Sequence, residues 1–302
     1  MLAIIIPFYK LTFFEATLQS LANQSDKRFK VCIGDDASPE DCTALLQKFE
    51  GQFDFIYHRF ETNLGGTSLT QQWDRCIALS DNEEWLLILG DDDVLGENVV
   101  AEFYYNVLEI CKSEISVIRF SSVFIDEKGR SISKKYCFPK TENAVDSFLN
   151  HYLEITRSSL SEHIFNREKY KKHKFTNYPL AWYSDDKAWL DFSDCNKIYT
   201  INEGEVKIRI SSQNISGKND NIFLKRKAGW EFIKDIVNTK FTKFTNAQKN
   251  SLLFRYGELQ VEFSNIRCEE VFYIWFHFVK NGFIYDSFRY LRRIYKALKK
   301  NK

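Results

Sequence analysis

Three consecutive carboxylates, Asp91, Asp92 and Asp93, have the clearest capacity for chemistry in this sequence, and they directly follow an apolar run at residues 85–89. Like charges this close repel one another unless a cation or solvent compensates them. A small set of carboxylate oxygens suits Mg²⁺ or Mn²⁺ shared with substrate phosphates. Taken alone, the triplet is equally compatible with an acidic turn that binds nothing.

Two acidic pairs could also bind or catalyse. Asp35 and Asp36 follow another apolar run, a place where an acid can accept hydrogen bonds from a nucleotide's ribose or base. The following Ala-Ser-Pro equally indicates a simple turn. Asp185 and Asp186 follow two aromatic residues, and such a pair can have a raised pKa and act as a general base. Acidic residues also favour the first turn of a helix.

Alternating strands and helices must position these acids. Short apolar runs at 2–6, 29–33, 53–57 and 85–89 predict four strands, and apolar residues at helical spacing between them predict helices. This alternation is typical of an α/β domain with a mostly parallel sheet, which binds ligands beyond the carboxyl ends of its strands. No glycine-rich phosphate loop follows the first strand, so the sequence contains neither a P-loop nor an NAD-binding fingerprint.

The rest of the chain has a different pattern. Residues 99–111 are predicted to form a helix, 117–125 a strand and 197–210 one or two short strands, and helices are predicted from about residue 219 onward. In the tail, Ile284, Phe288, Leu291, Tyr295 and Leu298 form an apolar stripe on a helix with basic residues opposite. Residues 283–300 could therefore bind an anionic membrane, or the stripe could pack on the protein itself.

Charge and composition limit the function class. The chain has 302 residues and a formal net charge of +1, which argues against general nucleic-acid binding. The net charge is −10 over residues 1–100 and +10 over 201–302. This suggests a cation-assisted site in the N-terminal third and an anionic partner for the C-terminal third, or two solvated surfaces that differ in charge. Seven cysteines without a CxxC pair indicate reduced core thiols. With no signal peptide and no ~20-residue apolar run, we expect a cytoplasmic protein.

In order and spacing, these segments resemble family 2 glycosyltransferases of the GT-A fold over residues 1 to about 216. The motifs that carry the resemblance are Ile4-Ile5-Ile6-Pro7-Phe8-Tyr9, Leu18-Gln19-Ser20-Leu21 with Gln24, Asp35-Asp36-Ala37-Ser38, Asn63-Leu64-Gly65-Gly66 with Trp73, Leu89-Gly90-Asp91-Asp92-Asp93-Val94-Leu95, Asp185-Asp186 and Arg209-Ile210-Ser211-Ser212-Gln213-Asn214-Ile215-Ser216.

The resemblance implies a fold and a division of the chain. The fold is α/β of the GT-A type, a Rossmann-like, mostly parallel mixed sheet flanked by helices, with a C-terminal helical extension. Residues 1–98 would bind the nucleotide-sugar donor, 99–216 would form the acceptor-binding half of the same domain, and 217–302 would be the basic and aromatic extension.

The resemblance also implies residue roles. Asp186 would be the base that deprotonates the acceptor hydroxyl, with Asp185 beside it. Asp36 would bond the base of the nucleotide, expected to be uracil. The triplet Asp91, Asp92 and Asp93 would hold Mn²⁺ or Mg²⁺ on the donor's diphosphate, through either Asp92 and Asp93 or, in a literal DxD, Asp91 and Asp93. The other donor-binding residues would be Pro7, Tyr9, Asn63, Gly65, Gly66, Asp91 and Arg209.

Two positions depart from the family pattern. Gly90 stands where many members carry an acid, and Ser211 stands where many carry a histidine after Arg209. These departures weaken the metal assignment in detail.

The predicted function is that of an inverting, metal-dependent glycosyltransferase. It would move a sugar from a nucleotide-sugar donor, expected to be UDP-linked, to a glycan or lipid-linked glycan acceptor in cell-envelope polysaccharide biosynthesis. It would act in the cytoplasm, peripherally at the inner membrane face. The alternatives are a nucleotidyltransferase of similar α/β fold and a catalytically inactive sugar-binding or scaffold protein.

Overall fold

The computed structural model describes residues 1–217, 220–262 and 266–300, and the side chain of Lys300 lies outside the description. Residues 218–219, 263–265 and 301–302 of the predicted extension also lie outside the described residues. The chain divides into two compact units, one of Met1–Asn177 with Ser184–Asn219 and one of Tyr178–Tyr183 with Asp220–Lys302. The predicted assignment of 1–98 to the donor and 99–216 to the acceptor stays a prediction.

Among the described residues, the first unit contains nine strands in one sheet. They are β1 (Leu2–Phe8), β2 (Phe29–Asp35), β3 (Asp54–Arg59), β4 (Trp85–Ile88), β5 (Val94–Leu95), β6 (Val117–Ile125), β7 (Thr141–Asn143), β8 (His163–Asn166) and β9 (Lys197–Arg209). The order across the sheet is β3-β2-β1-β4-β8-β6-β9-β5, and β7 pairs with β9.

The sheet is parallel on one side and mixed on the other. β1, β2, β3 and β4 pair in parallel, and their central members are apolar runs buried on both faces, as the sequence predicts. Beyond them, β8 runs antiparallel to both β4 and β6, whereas β6 and β9 are parallel. The predicted α/β class is confirmed, with β8 as the strand that reverses direction.

Helices cover this sheet and connect its strands. They are α1 (Phe14–Ala22), α2 (Thr43–Gln47), α3 (Leu69–Ile77), α4 (Val99–Lys112), α5 (Ala144–Tyr152), α6 (Arg167–His173) and α7 (Ser184–Phe192). Ser68 caps α3, because its side chain accepts a hydrogen bond from the backbone N–H of Gln71. The 3₁₀ turn Pro179–Ala181 belongs to the second unit.

Strand β9 is one strand of 13 residues, whereas the sequence predicts one or two short strands over this segment. Its start pairs with β7 and its end with β5. A register shift between Phe120 and Ser121 in the pairing with β6 absorbs the irregularity in the middle. The strand therefore stays continuous and carries Arg209 to the sheet edge where β6 ends.

The second unit is helical over its described residues, as the predicted extension requires. Its helices are α8 (Ile222–Thr239), α9 (Asn246–Glu262), α10 (Cys268–Lys280) and α11 (Ile284–Lys300), with a 3₁₀ turn at Phe241–Lys243. Helix α11 buries Ser287, Tyr290 and Ile294. Within the described ranges, no helix is both long and apolar enough to cross a membrane.

The predicted apolar stripe of α11 does not form the packed side of this helix. Phe288 is 66% exposed and Tyr295 58%, and Ile284 and Leu298 are also exposed. The expectation that this stripe packs on the protein itself is therefore wrong for these residues. The buried residues of α11 lie about a quarter turn around the helix from the stripe. The cysteine prediction also needs correction, because Cys111, Cys137 and Cys268 are exposed, while Cys32, Cys42, Cys76 and Cys195 are buried and all seven are free thiols.

Candidate active site

The residues predicted to bind the donor lie at one edge of the sheet. Tyr9 follows β1, Asp36 follows β2, the acidic triplet follows β4 within three residues, and Arg209 ends β9. Pro7 lies within β1, opposite Gly34 of β2. Because β1, β2 and β4 are parallel, their carboxyl ends lie at the same edge, where α/β sheets bind ligands.

Asp36 holds the turn that follows β3. Its Oδ1 accepts the backbone N–H of Leu64 at 2.7 Å, and its Oδ2 accepts that of Gly65 at 2.9 Å. Arg75 of α3 also donates to Oδ1. A Cβ on Gly65 would lie 2.6 Å from Oδ2, so this approach requires glycine. Three donors thus bind this nearly buried carboxylate, and Oδ2 accepts only one of them.

Asn63 and Gly66 close the same turn, and their contacts are internal to it. The amide of Asn63 donates to the backbone carbonyl of Asp36 at 3.2 Å, and its Oδ1 accepts the N–H of Gly66 at 2.8 Å. The turn is therefore rigidly tied to the end of β2. Its predicted contact with the donor stays a prediction.

The first acid of the triplet is tied to the end of β1. Asp91 Oδ2 accepts the backbone N–H groups of Tyr9 at 2.8 Å and Lys10 at 2.9 Å. Ser38 donates its hydroxyl to the carbonyl of Tyr9 at 2.7 Å. The segments after β1, β2 and β4 therefore form one hydrogen-bonded edge, while the Tyr9 side chain remains exposed.

The third acid is buried and held on both oxygens. Asp93 Oδ1 accepts the backbone N–H of Arg209 at 2.9 Å, and Oδ2 accepts the hydroxyl of Ser161 at 2.6 Å. The Arg209 guanidinium donates to the carbonyls of Asp92 at 2.9 Å and Asp126 at 2.7 Å. Arg209 thus positions the triplet here, and its predicted contact with the donor stays a prediction.

The second acid is the most available for a cation. Asp92 is half-buried, and its Oδ2 accepts from the amide of Asn214 at 3.1 Å. A Cβ on Gly90 would lie 3.0 Å from both Asp92 Oδ1 and Asp93 Oδ2, so both oxygens lie close to Gly90. Neighbouring carboxylates suit Mg²⁺ or Mn²⁺, which take the rest of their ligands from water and phosphates.

No cluster of three or more His, Cys, Asp or Glu side chains in the described part of the chain is already arranged around a metal position. The electrostatics of the triplet nevertheless favour a cation. Burial and the neighbouring Asp92 charge raise the pKa of Asp91 to about 6 and that of Asp93 to about 8, and burial raises the pKa of Asp92. A bound cation would relieve this cost of ionisation.

The other acidic pair begins helix α7. Asp186 is buried and Asp185 is half-buried. Burial, followed by the Glu162 charge, raises the pKa of Asp186 to about 7. Burial and the Asp186 charge also raise the pKa of Asp185. A carboxyl that ionises near neutral pH is suited to general-base catalysis.

Ser161 and Glu162, which the sequence patterns do not single out, interact with the two acidic groups. Ser161 contacts Asp93, and it also accepts the backbone N–H of Gly90 at 3.0 Å. The next residue, Glu162, is fully buried, pairs with Arg157 at 2.5 Å and influences the pKa of Asp186. The only signal in the sequence was a polar run before a short apolar strand, and no spacing connects it with residues 91–93 or 185–186.

Ser211, at the position where the family often has histidine, is buried and accepts the backbone N–H of Gln213 at 3.2 Å. Lys10 donates to the carbonyl of Gln213, and Thr12 contacts its side chain at 3.2 Å. The segment after β9 is therefore attached to the residues that follow β1. Ser211 supports this segment and adds no ligand nitrogen to the triplet.

Residues 3–189 match the family described as Glycosyl transferase family 2. This chain belongs to glycosyl transferase family 2. The match contains both acidic groups and ends within helix α7. A search of curated protein sequences gave no match.

Solved structures of S. aureus TarS share the fold. TarS 1-349 in complex with UDP-GlcNAc has a TM-score of 0.63 at 16% identity, and the same fragment with UDP has 0.59 at 18%; each comparison covers 93% of this chain and 80% of that one. A further TarS structure has a TM-score of 0.60 at 17% identity, covering 89% of this chain and 46% of that one. The predicted GT-A fold of this family 2 glycosyltransferase is confirmed.

Proposed function

We propose that this family 2 glycosyltransferase transfers a sugar from a UDP-linked donor to a hydroxyl acceptor with inversion at the anomeric carbon. The observation that carries the proposal is the hydrogen-bonded sheet edge, which joins Asp36, Tyr9 and the acidic triplet. This edge provides acceptors for a nucleotide and oxygens for a cation beside a diphosphate. TarS structures that share the fold contain UDP or UDP-GlcNAc, which supports the choice of donor class.

On the donor side, Asp36 would accept the imide N–H of uracil through Oδ2. Pro7 and Tyr9 would line the nucleotide, together with the turn of Asn63, Gly65 and Gly66. Asp92 and Asp93 would hold Mn²⁺ or Mg²⁺, and Asp91 would keep the triplet against β1. A divalent cation, when bound, stabilises the negative charge of the departing diphosphate.

On the acceptor side, Asp186 would take the proton of the attacking hydroxyl. The oxygen of that hydroxyl forms a bond to the anomeric carbon as the bond from this carbon to UDP breaks, and UDP leaves with the electron pair. Attack from the face opposite UDP inverts the configuration. Burial keeps Asp186 away from bulk water, and its pKa near 7 makes it a stronger base than an exposed carboxylate.

Donor binding is tested by thermal shift with a panel of nucleotide sugars. We expect a UDP-sugar at about 100 times its dissociation constant to add about 2.7 kcal/mol of stability, a rise of roughly 4 °C in melting temperature for a chain of this length. GDP- and CMP-sugars serve as matched controls. UDP release from the stabilising donor, with Mn²⁺ and with EDTA, then tests transfer.

The outcomes separate this proposal from its rivals. Stabilisation without UDP release under any condition indicates an inactive sugar-binding protein. Pyrophosphate formation from UTP and a sugar phosphate indicates a nucleotidyltransferase. Either result contradicts the proposal.

We also propose that the acceptor is a glycan or lipid-linked glycan of cell-envelope polysaccharide biosynthesis, reached from the cytoplasmic face of a membrane. The exposed stripe of α11 supports this, because Arg292, Lys296 and Lys299 are exposed on the opposite side of the same helix. Arg289 and Arg293 are also exposed, but they pair with Asp286 and Glu258. An apolar stripe with basic residues opposite it suits an anionic lipid surface. Each such cation contributes about 1 kcal/mol near the surface, and salt screens it.

Replacing the exposed stripe should reduce lipid binding without destabilising the protein. The triple variant Phe288→Ser, Tyr295→Ser, Leu298→Ser leaves the buried Tyr290 and Ile294 in place. We expect at least a roughly tenfold loss of partitioning onto phosphatidylglycerol-containing vesicles, since each buried CH₂ contributes about 0.8 kcal/mol. Vesicle sedimentation at low and high salt measures it.

The control is Tyr105→Ser with Leu108→Ser on α4, where both side chains are more exposed than those of the stripe. This control should bind vesicles as the wild type does. Unchanged binding of the stripe variant, or equal loss in the control, contradicts the membrane proposal.

A further inference from the structure

Histidine 151 faces the acidic pair from helix α5. Its Nε2 lies 3.6 Å from Asp186 Oδ1, and the two side chains are 27% and 6% exposed. Its Nδ1 is buried, and the imidazole also has a backbone hydrogen-bond interaction with Thr156. The distance is slightly too long for a hydrogen bond in this structure. Catalytic hydrogen bonds are often long before substrate binds and shorten in the complex.

The charges around this contact are mostly negative. Asp185 of α7 and Glu162 of the segment before β8 both face it, and Arg157 compensates Glu162. These acids and the burial oppose ionisation of Asp186. Burial also lowers the pKa of His151, so its imidazole is neutral at neutral pH and carries one N–H. A neutral donor beside a carboxyl favours the ionised form of that carboxyl.

We propose that His151 is a positioning residue, whose Nε2–H donates to Asp186 Oδ1, favours the ionised carboxylate and leaves Oδ2 to accept the proton of the attacking hydroxyl. This inference rests on the proposed role of Asp186 as the base. His151 undergoes no covalent change in the step. The proton goes from the hydroxyl to Asp186, and His151 keeps its own.

Two other histidines of the first unit have different surroundings. His163 is buried, stacks on Trp189 with ring centroids 4.3 Å apart, and contacts the carbonyl of Ser159 at 2.7 Å. His173 lies 3.3 Å from Asp194, whose side chain is 36% exposed and also pairs with Lys169. His173 is therefore a matched control, a histidine–aspartate contact away from the acidic pair.

The first test is independent of catalysis. A buried carboxyl with a raised pKa contributes stability below about pH 4 that is lost progressively as the pH rises to its folded-state pKa, here about 7. The melting temperatures of the wild type and Asp186→Asn are compared from pH 4 to 9. The difference between them should grow as the pH rises and level off near the pKa of Asp186. In a His151→Leu background, we expect the levelling-off point to move up by about one pH unit.

The second test follows the rate of UDP release against pH, using the UDP-sugar that stabilises the protein. We expect His151→Leu to move the acidic limb of the pH–rate profile up by about one pH unit and to lower the rate at pH 7 about fivefold, with an unchanged KM for the donor. His151→Gln, which keeps an N–H donor, should restore the acidic limb of the pH–rate profile to its wild-type position. His173→Leu should leave it unchanged.

The outcomes that overturn the inference are distinct from failure of the proposed function. Equal loss of rate at all pH values, with an unmoved levelling-off point in the melting curves, makes His151 merely structural. If His151→Leu moves the levelling-off point when the wild type is compared with Asp185→Asn, and not when it is compared with Asp186→Asn, His151 acts on Asp185 instead. If no UDP-sugar is turned over, the melting curves still decide the His151–Asp186 contact, and the proposed function alone fails.

Discussion

An Asp186→Asn variant is expected to lose sugar transfer by about 10²- to 10⁴-fold while it still binds UDP. The amide cannot take the proton of the acceptor hydroxyl, whereas the nucleotide would be held by Asp36 and the triplet at the other acidic group. The side-chain volume is nearly unchanged, and removal of a buried acid with a pKa near 7 does not destabilise the protein at neutral pH. UDP release and calorimetric titration with UDP measure the two effects separately.

Two further variants sharpen this result. Asp194→Asn changes a more exposed aspartate just beyond α7 and should keep wild-type activity. Asp185→Asn should retain much more activity than Asp186→Asn. If Asp185→Asn is the more damaging change, the two acids exchange roles, and if Asp186→Asn loses UDP binding but keeps its transfer rate, Asp186 belongs to the donor side.

The second large effect concerns the triplet. Asp92→Asn and Asp93→Asn should each lower turnover by 10²- to 10³-fold or more, the range seen when one stabiliser of developing negative charge is removed. Both should also abolish the gain in UDP affinity that Mn²⁺ provides to the wild type. The reason is that Asp92 Oδ1 and Asp93 Oδ2 both lie close to Gly90, and an amide is a poorer ligand than a carboxylate for a hard cation.

Asp91→Asn is the matched comparison, because the asparagine carbonyl oxygen can take the place of Asp91 Oδ2 and accept the N–H groups of Tyr9 and Lys10. It should be the mildest of the three changes if Asp92 and Asp93 hold the cation. A literal DxD site would instead make Asp92→Asn the mildest. Full activity of all variants, or of the wild type in EDTA, refutes a metal site at this edge.

The sequence predicts well that Tyr9, Asp36 and Asp91 lie at one edge of the sheet, and the reason is physical. Each of them follows an apolar run, and the carboxyl ends of parallel strands meet at one edge. Local patterns therefore suffice to bring these residues together. The same logic extends to Arg209, because β9 ends at the edge where β6 ends.

The sequence could not predict contacts that depend on the reversed strand. Ser161 reaches Asp93 across 68 residues of chain because β8 enters the sheet antiparallel between β4 and β6. No local periodicity encodes that reversal, and it also places Glu162 near Asp186. Likewise, the stripe of α11 identifies an apolar face but not its packing, which uses Tyr290 and Ile294 instead.

Strand β5 has a consequence for attempts to exchange donor specificity between related enzymes. Its two residues, Val94 and Leu95, directly follow the triplet, yet they pair with β9 at the end of the sheet order opposite β3. A chimera joined near residue 98 would therefore contain a β5 from one enzyme that must pair with a β9 from another. A chimera that transplants β8, β9 and the 157–162 segment together with residues 1–98 keeps the pairs β4–β8 and β5–β9 within one parent.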